Sequence, residues 1–522
     1  MNLLKNFATV GMATMVSRVL GFVRDVFMAQ MLGSGPMADA FFVAFRLPNL
    51  FRRLFAEGAF NAAFVPLFAR AVEEGGDEKA RQFAEEVLAS LLFTLLILTA
   101  VAELAMPALV YALAPGFADD AAKFDLATGM TRIMFPYLMC MSLTAMASGM
   151  LNSMGRFALA AFAPSLLNVV FVIALTFIWF SGAAGTSEAA FVLSWAVFIA
   201  GFVQLLSLVI GLRMIDFSLK LRRPRLTPGV RRLLVLGLPG VVAGGITQIN
   251  IVVGTIIASN QESAVSFLYY ADRLYQLPLG IVGVAIGVVL LPDLTRQLRS
   301  KTPETALHTQ NRALEFSMAL TLPATVALAV IPVEIIRVLF ERGAFGPEDS
   351  VATGHALAAY ALGLPAFVAI KVLQPAYFAR EDTKTPTIYA GISMVVNVVL
   401  AIALFSAFAH VGIAAATTVA AWVNVGQLTL GLVRRGEFVF DTLLVKRLPL
   451  MLLASLLMGA GLYLGARQLD PWLTPSAGLL TCTLALMGLV LLGMVLFALF
   501  AILTGAIDVK RYGRMIFARG KG

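Results

Sequence analysis

The sequence predicts an all-α polytopic membrane protein with about fourteen transmembrane helices. Of its 522 residues, 60% are hydrophobic and 13% are charged, whereas about 25% of the residues of a soluble domain are charged. Three long runs, residues 158–180, 189–212 and 472–507, contain no charged residue, and about 20 apolar residues are enough to cross a bilayer. Because these runs do not alternate between polar and apolar residues, they do not fit a transmembrane β-barrel.

The helices are predicted from the apolar runs and the charges between them. The N-terminal stretch has the look of a signal peptide, but Arg18 lies inside its apolar part and no small-residue cleavage site follows, so we expect a retained first helix. The predicted spans are residues 7–32, 37–69, 84–113, 125–151, 158–180, 188–212, 233–258, 264–294, 313–340, 351–378, 386–408, 412–433, 448–466 and 474–505.

The charges in the loops predict the topology. With the N-terminus inside, 27 Lys and Arg residues lie on the cytoplasmic side and three lie outside, namely Lys123, Arg342 and Arg467. This bias follows the positive-inside rule and puts both termini in the cytoplasm. The net charge of +9 therefore indicates topology and contact with anionic membrane lipids. It does not indicate nucleic-acid binding, because no basic folded domain lies outside the spans.

An internal repeat predicts two related halves. "NVVFVIAL" at residues 168–175 matches "NVVLAIAL" at residues 397–404, and Arg46-Leu47 matches Arg273-Leu274 at nearly the same offset. Six helices per half keep both halves in one orientation, so their pseudo-two-fold axis runs along the membrane normal and substrate sites lie between them. The predicted domains are an N-lobe (1–215), a basic cytoplasmic linker (216–232), a C-lobe (233–435), and two further helices with a basic cytoplasmic tail (436–522).

Nine basic residues are predicted at membrane depth, where each costs about 2.5–3.5 kcal/mol at a helix centre. They are Arg18, Arg24, Arg46, Arg52, Arg53, Arg132, Arg273, Arg337 and Lys371. Arg132 and Arg337 are expected near span ends, from which long side chains reach the interface. The role of Lys371 is left open.

The first two helices hold most of this charge. Arg18 and Asp25 are seven residues apart and so share a helix face, and Asp39, Arg46 and Arg53 repeat that spacing. Arg24 and Arg52 flank these faces, and Glu57 lies one turn beyond Arg53. Glycines and prolines interrupt both helices, which is tolerated where a helix lines a cavity.

Arg273 adds positive charge from the matching helix of the second half. A hydrated cationic cavity favours an anion, and several guanidinium groups suit a pyrophosphate. The alternative is that these charges form internal salt bridges, above all Arg46, Arg53 and Glu57.

The residues needed for catalysis or metal binding do not form a pattern. The three histidines are scattered, and Cys140 and Cys482 lie in apolar helices without metal or disulfide spacing. No phosphate loop, zinc motif or Ser-His-Asp set is visible. We therefore expect no enzyme activity, no metal and no cofactor, and a carrier that does not use ATP itself but draws on the membrane potential.

Several long motifs resemble those of the MurJ (MviN) lipid II flippase family of the multidrug/oligosaccharidyl-lipid/polysaccharide exporter superfamily. They are "RVLGFVRDVFMAQMLGSGPMADAFFVAFRLPNLFRRLFAEGAFNAAFVP" (18–66), "GMLNSMGRFALAAFAPSLLN" (149–168), "YADRLYQLPLGIVGVAIGVVLLP" (270–292) and "AYFAREDTKTP" (376–386). The resemblance covers essentially the whole chain.

This resemblance implies fourteen helices in two lobes around a central cavity. It implies flipping of lipid II, the undecaprenyl-pyrophosphate-linked peptidoglycan precursor, from the inner to the outer leaflet of the bacterial inner membrane, by alternating access. It also implies that a groove of helices 13 and 14 holds the lipid tail. The family's cavity arginines and acidic partners correspond to Arg18, Arg24, Arg52, Arg273, Asp25 and Asp39.

The sequence departs from the family pattern at two places. Gln276 stands where the family has a glutamate. The carboxylates that bind sodium in some members are missing from residues 246–258 and 388–404, where Asn397 is the one candidate ligand, so we do not expect a sodium site.

Two other functions remain as alternatives. The chain is either an exporter of another substrate, such as a different polyprenyl-pyrophosphate-linked oligosaccharide, or a non-transporting scaffold for cell-wall synthases. A drug exporter fits less well, because such carriers usually favour cations and the predicted cavity is positive.

Overall fold

A computed structural model describes residues 3–53, 60–299 and 303–506, and these ranges contain helices and no strand. The predicted all-α fold class is confirmed. The helices in chain order are α1 Leu3–Leu32, α2 Pro36–Phe51, α3 Asn61–Leu104, α4 Met106–Leu113, α5 Ala121–Met134, α6 Tyr137–Ser153, α7 Phe157–Ser181, α8 Ser187–Arg213, α9 Pro228–Ala258, α10 Ala264–Arg299, α11 Pro303–Val330, α12 Pro332–Phe340, α13 Pro347–Ala361, α14 Leu364–Phe378, α15 Lys384–Arg434, α16 Thr442–Leu469 and α17 Leu479–Leu503.

Prolines determine where many of these helices begin. Pro36, Pro228, Pro332 and Pro347 are the first residues of α2, α9, α12 and α13. A proline has no N–H to donate and a fixed φ, so it is tolerated in the first turn of a helix but breaks one further along. For the same reason, a proline inside a long apolar stretch can end one helix and begin the next, where hydropathy alone predicts a single continuous helix.

Three predicted spans each contain a break between two helices. They are residues 125–151, 313–340 and 351–378, which correspond to α5 with α6, α11 with α12, and α13 with α14. Two of these pairs, Ala121–Ser153 and Pro347–Phe378, still each form one segment long and apolar enough to cross a membrane. The predicted span 37–69 includes residues 54–59, which lie outside the described ranges. Conversely, α3 and α15 each run through two predicted spans, interrupted by one residue of positive φ. These residues are Gly76 (φ 66°) and Ala409 (φ 52°).

The helix count agrees with the predicted fourteen spans. Within the described ranges, nine helical segments are long and apolar enough to cross a membrane. One of them, α15, provides two spans because it is broken at Ala409. The other predicted spans lie in α1, in α2 with the start of α3, in α9 and in α10.

The chain divides into two compact units. Unit 1 contains Met1–Ser266 and Gly343–Phe345, and unit 2 contains Phe267–Arg342 and Gly346–Gly522. The lobes expected from the internal repeat have other boundaries and remain a prediction.

Unit 1 packs α1 against α7, α7 against α8, and α3 against α6 and α9. Its largest described core cluster contains a stacked aromatic run, Phe60–Phe64–Phe68, with ring centroids 5.1 and 5.6 Å apart. Unit 2 packs α11 against α16, α16 against α17, and α14 against α15. Both units bury some apolar side chains and expose others on the outside. A charged side chain in such apolar surroundings needs a partner that pairs with it or forms a hydrogen bond to it.

Candidate substrate-binding site

Arg24 is the most deeply buried arginine of the predicted site. It lies on α1 with 8% of its surface exposed. Its Nη2 and Nε donate to Asp25 Oδ1 at 2.7 and 3.0 Å, and its Nη1 donates to Asn168 Oδ1 at 3.0 Å. The guanidinium carbon lies 5.4 Å from the centroid of the Phe171 ring. A buried charge is tolerated when it is paired and hydrogen-bonded in this way.

Asn168 connects α7 to α1. Its side-chain amide donates to the carbonyl of Ser17 at 3.0 Å, which orients its oxygen toward Arg24. Asn168 is predicted only as part of the repeat, so this contact is not among the predicted ones. A polar amide within the apolar run 158–180 was a sign in the sequence that Asn168 has a partner. The partner could not be named, because Arg24 lies 144 residues away in the chain.

Arg18 differs from Arg24 in its surroundings. Its side chain is exposed, and it forms no hydrogen bond or ion pair with the residues that the structure describes. Asp25, which shares its helix face by spacing, is buried and bound to Arg24. Among the described residues, Arg18 thus lacks the kind of partner that holds Arg24.

Asp39 on α2 is fully buried and accepts four hydrogen bonds. They come from Lys123 Nζ (2.8 Å), from the backbone N–H groups of Ser263 and Ser266 (2.9 Å each), and from Ser266 Oγ (2.9 Å). The ammonium group of Lys123 also lies 4.2 Å from the centroid of the Phe117 ring. Since these backbone groups begin α10, the Asp39 carboxylate acts as a remote cap of that helix.

Sequence reasoning placed Lys123 among the outside loop charges. The structure places it in the first turn of α5, buried beside Asp39. Asp120 caps the same turn, because its carboxylate accepts from the N–H groups of Ala122 and Lys123. That local capping signal was visible in the sequence, but the pairing across 84 residues was not.

Three further basic residues lie in α2 or just after its end. Arg46 donates to the hydroxyl of Thr255 on α9, and Arg52 Nε donates to Asn49 Oδ1 at 2.9 Å. Arg53 is exposed. Glu57 lies outside the described residues, so its expected pairing with Arg53 stays a prediction.

In unit 2, Arg273 lies on α10 over an aromatic ring, with its guanidinium carbon 4.7 Å from the centroid of Tyr269. Neighbouring Asp272 accepts a hydrogen bond from the side-chain amide of Gln276. Gln276 therefore engages a carboxylate, where a glutamate would repel it.

Three other intramembrane charges are placed as follows. Arg337 lies near the end of α12 and pairs with Asp470 at 3.0 Å. Arg132 lies in the last turn of α5, at the break before α6, and its expected place near the end of a span remains a prediction. Lys371 on α14 is exposed and forms no hydrogen bond or ion pair within the described ranges.

The chemistry available at these positions is anion binding. Guanidinium and amide groups supply donors that suit phosphate oxygens. Among the described residues, no group of three or more His, Cys, Asp and Glu side chains is arranged to hold a metal ion. Both cysteines are buried and free.

The fold is similar to that of a solved membrane transporter. A solved structure described as the inward-facing conformation of a multidrug resistance MATE family transporter of the MOP superfamily matches with a TM-score of 0.67. The match covers 83% of this chain and 98% of that chain, at 13% identity, and so concerns the fold alone.

The chain belongs to the MurJ lipid II flippase family, whose family model matches residues 28–502. It is 52% identical to the probable lipid II flippase MurJ of Rhizobium tropici over 510 residues, 98% of this chain and 96% of that protein. It is 35% identical to the lipid II flippase MurJ of Burkholderia cenocepacia over 443 residues, 84% and 85% of the two chains. A solved "Lipid II flippase MurJ, inward closed conformation" matches with a TM-score of 0.76 at 26% identity, covering 95% of this chain and 98% of that chain.

The resemblance stated from the sequence motifs is thus confirmed. Family membership makes the chain a multi-pass transporter of the bacterial inner membrane and not a catalytic enzyme. The orientation of its termini remains a prediction.

Proposed function

We propose that this chain flips lipid II from the inner to the outer leaflet of the bacterial inner membrane. The observation that carries the proposal is the match of residues 28–502 to a family described by this activity. The relatives with that name align along nearly the whole chain. The set of intramembrane arginines supports an anionic substrate with a pyrophosphate group.

Arg18, Arg24, Arg52 and Arg273 bind the pyrophosphate in this proposal. Arg18 has no hydrogen-bond partner among the described residues, whereas Arg24 donates to Asp25. Asp25 Oδ1 accepts from two nitrogens of Arg24, a position that a phosphate oxygen can also take. We therefore assign Asp25 the role of an internal anion that holds Arg24 in place and yields to the substrate phosphate.

Transport by alternating access requires the pyrophosphate to be released on the outer side. The cationic central cavity opens inward, binds the headgroup, and then opens outward. Outward movement of negative charge is favoured by an inside-negative potential, by about 2.3 kcal/mol per charge per 100 mV. Renewed pairing of Arg24 with Asp25 weakens the grip on the substrate.

The polyprenyl tail stays in an apolar environment. α16 and α17 pack closely, since a Cβ at Gly461 would lie 2.4 Å from Leu496 Cδ1. Both helices expose large apolar side chains outward, among them Leu464, Leu480 and Val495. This surface supports the expected path of the tail along the two C-terminal helices. Cell-wall synthases remain candidate partners for the released substrate.

The test is depletion of this chain in cells that depend on it, with a periplasmic lipid II-cleaving toxin as the probe. We expect cleavage product to disappear while total lipid II accumulates, and wild-type complementation to restore it. The Arg70→Ala variant is the matched control, because Arg70 is an exposed residue that pairs, among the described residues, with Glu74 on its own helix. Cleavage that continues at the normal rate after depletion contradicts the proposal and favours the scaffold alternative.

A further inference from the structure

The linker between α8 and α9 is held against α3 by specific hydrogen bonds. Glu85 accepts from the backbone N–H of Lys220 at 2.9 Å and from Arg222 Nε at 2.6 Å. Glu86 accepts from the hydroxyl of Thr227 at 2.8 Å. The linker is therefore an ordered strap, although its composition by itself indicates only a basic topology signal.

A groove of about 430 Å³ lies where this strap joins α9. It is lined by Leu226, Pro228, Arg231, Arg232 and Val235. Both arginine side chains are exposed, and neither forms a hydrogen bond or ion pair with any described side chain. The groove therefore offers two adjacent guanidinium groups, and no carboxylate is among its lining residues.

The other wall of the groove is apolar and continues along α9. Leu226 and Val235 are 71% and 65% exposed, and Leu234 and Leu238 are 59% and 64% exposed. Large apolar side chains at this density on the surface of a membrane helix indicate contact with acyl chains. A ligand that fits both walls has an anionic head and a hydrocarbon tail.

We propose that this groove binds one diacyl anionic phospholipid of the cytoplasmic leaflet. Arg231 and Arg232 hold its phosphodiester, and its acyl chains run along Val235 and Leu238. Two guanidinium groups match the charge of a single phosphodiester, and arginine's fork suits phosphate oxygens. The choice of the cytoplasmic leaflet rests on the predicted topology and not on the proposed transport activity.

Two further arginines of the strap provide the matched control. Arg223 and Arg225 are exposed and equally charged, but they do not line the groove. If the strap attracts anionic lipids only as a diffuse charge, both pairs contribute alike. If the groove is a site, the Arg231–Arg232 pair dominates.

The experiment uses the purified full chain in nanodiscs that contain phosphatidylglycerol with a photoreactive acyl chain. Mass spectrometry locates the crosslinked peptides. We expect crosslinks within residues 226–238 in the wild type and about thirty-fold fewer in the Arg231→Gln/Arg232→Gln variant, from two lost charges near an anionic surface. The Arg223→Gln/Arg225→Gln variant is expected to lose less than about three-fold, because its charges act on the groove at a distance and through screening. The Arg231→Lys/Arg232→Lys variant keeps both charges and is expected to retain most of the crosslinking. That result would show that the loss in the Arg231→Gln/Arg232→Gln variant does not come from misfolding.

Four results would overturn the site. The first is an equal loss in the two glutamine variants, and the second is equal labelling by photoreactive phosphatidylcholine. The third is displacement by millimolar inorganic phosphate, which would make the groove a free-anion site. The fourth is displacement by undecaprenyl pyrophosphate more readily than by phosphatidylglycerol, which would assign it to the substrate. Crosslinking is measured without transport, so this outcome is separate from the test of flipping.

Discussion

Unit 1 holds two buried acid–base pairs, Arg24–Asp25 and Lys123–Asp39, which have similar distances and different neighbours. The cation–carboxylate distances are 2.7 and 2.8 Å. Arg24 donates twice to Asp25, through Nε and through Nη2. Asp39 instead divides its oxygens between Lys123 and the first residues of α10.

The difference separates an exchangeable contact from a structural one. When Arg24 releases Asp25, its N–H groups can donate to a phosphate instead. Carboxylate and phosphate oxygens both accept hydrogen bonds from a guanidinium group. Asp39 has no such substitute, since losing its carboxylate leaves Lys123 and two backbone N–H groups without their acceptor. We therefore expect mutation of Asp39 to affect mainly folding, and mutation of Asp25 to affect mainly ligand binding.

The largest expected effect is that of Asp39→Asn on stability. Removing one member of a buried ion pair costs about 3–5 kcal/mol, because the remaining charge stays buried without a counter-charge. The measurement is the thermal unfolding midpoint of the purified protein in detergent. The double variant Asp39→Asn/Lys123→Met should recover part of the loss. An unchanged midpoint in the single variant would show that Asp39 is not a structural cap.

Asp25→Asn is expected to act in the opposite sense on binding. The neutral amide competes less strongly for Arg24, so undecaprenyl pyrophosphate should bind about tenfold more tightly, as expected when one charged hydrogen-bond competitor is removed. Release should then slow and flipping should fall. Glu74→Gln, which loses only an exposed pair with Arg70, is the control. Weaker binding in Asp25→Asn would mean that Asp25 positions Arg24 and does not compete with substrate.

Asn168→Ala tests the support of Arg24 and should have an intermediate effect. It removes the bond to Arg24 and the bond to the Ser17 carbonyl, at a cost of about 1–3 kcal/mol for the polar groups left unsatisfied. We expect weaker pyrophosphate binding in an equilibrium binding assay. Asn397→Ala changes the repeat-related asparagine of unit 2 and should leave the Arg24 site unaffected. Equal effects of the two variants would point to general destabilisation.

The smallest effect is expected at Asp382, in the loop between α14 and α15. Bonds from the N–H of Thr385 (2.9 Å) and from Arg435 Nη1 (2.8 Å) lower the pKa of the Asp382 carboxyl to about 2. A lowered pKa stabilises the folded state at pH values above the unfolded pKa of about 3.9, and this gain is lost as the pH falls toward 2.

Asp382→Asn should therefore lower the unfolding midpoint by only about 1 °C at neutral pH, as for other partly exposed pairs. The difference from wild type should stay constant between about pH 5 and 8 and shrink near pH 3. A difference that grows on acidification would show that another group determines the effect.

The sequence predicted the helices well, because lipid as a solvent leaves long apolar runs and a charge bias in the loops. It did not predict the breaks at Pro136 and Pro332, which depend on the backbone demands of single prolines within apolar stretches. It also did not predict that α3 and α15 continue through two spans. In each, one residue of positive φ, Gly76 or Ala409, separates the two helical parts without a loop.

The candidate site was predicted in its charges and missed in its partners. The seven-residue spacing placed Asp25 on the helix face of Arg18, whereas in the structure Asp25 pairs with its neighbour Arg24. Asn168 and Lys123 contact the site from 144 and 84 residues away. No local periodicity reports such contacts, and only the packing of α7 on α1, and of α5 on α2, brings them together.

The central claim is that these intramembrane arginines carry lipid II across the bilayer. The most direct measurement is lipid II exposure to a periplasmic lipid II-cleaving toxin in cells whose sole copy is Arg24→Ala or Arg52→Ala, with Arg70→Ala as the control and protein levels confirmed. The account predicts that cleavage product disappears and total lipid II accumulates in the first two strains, while the control behaves as wild type. Undiminished cleavage in Arg24→Ala and Arg52→Ala would contradict it and would make these arginines structural.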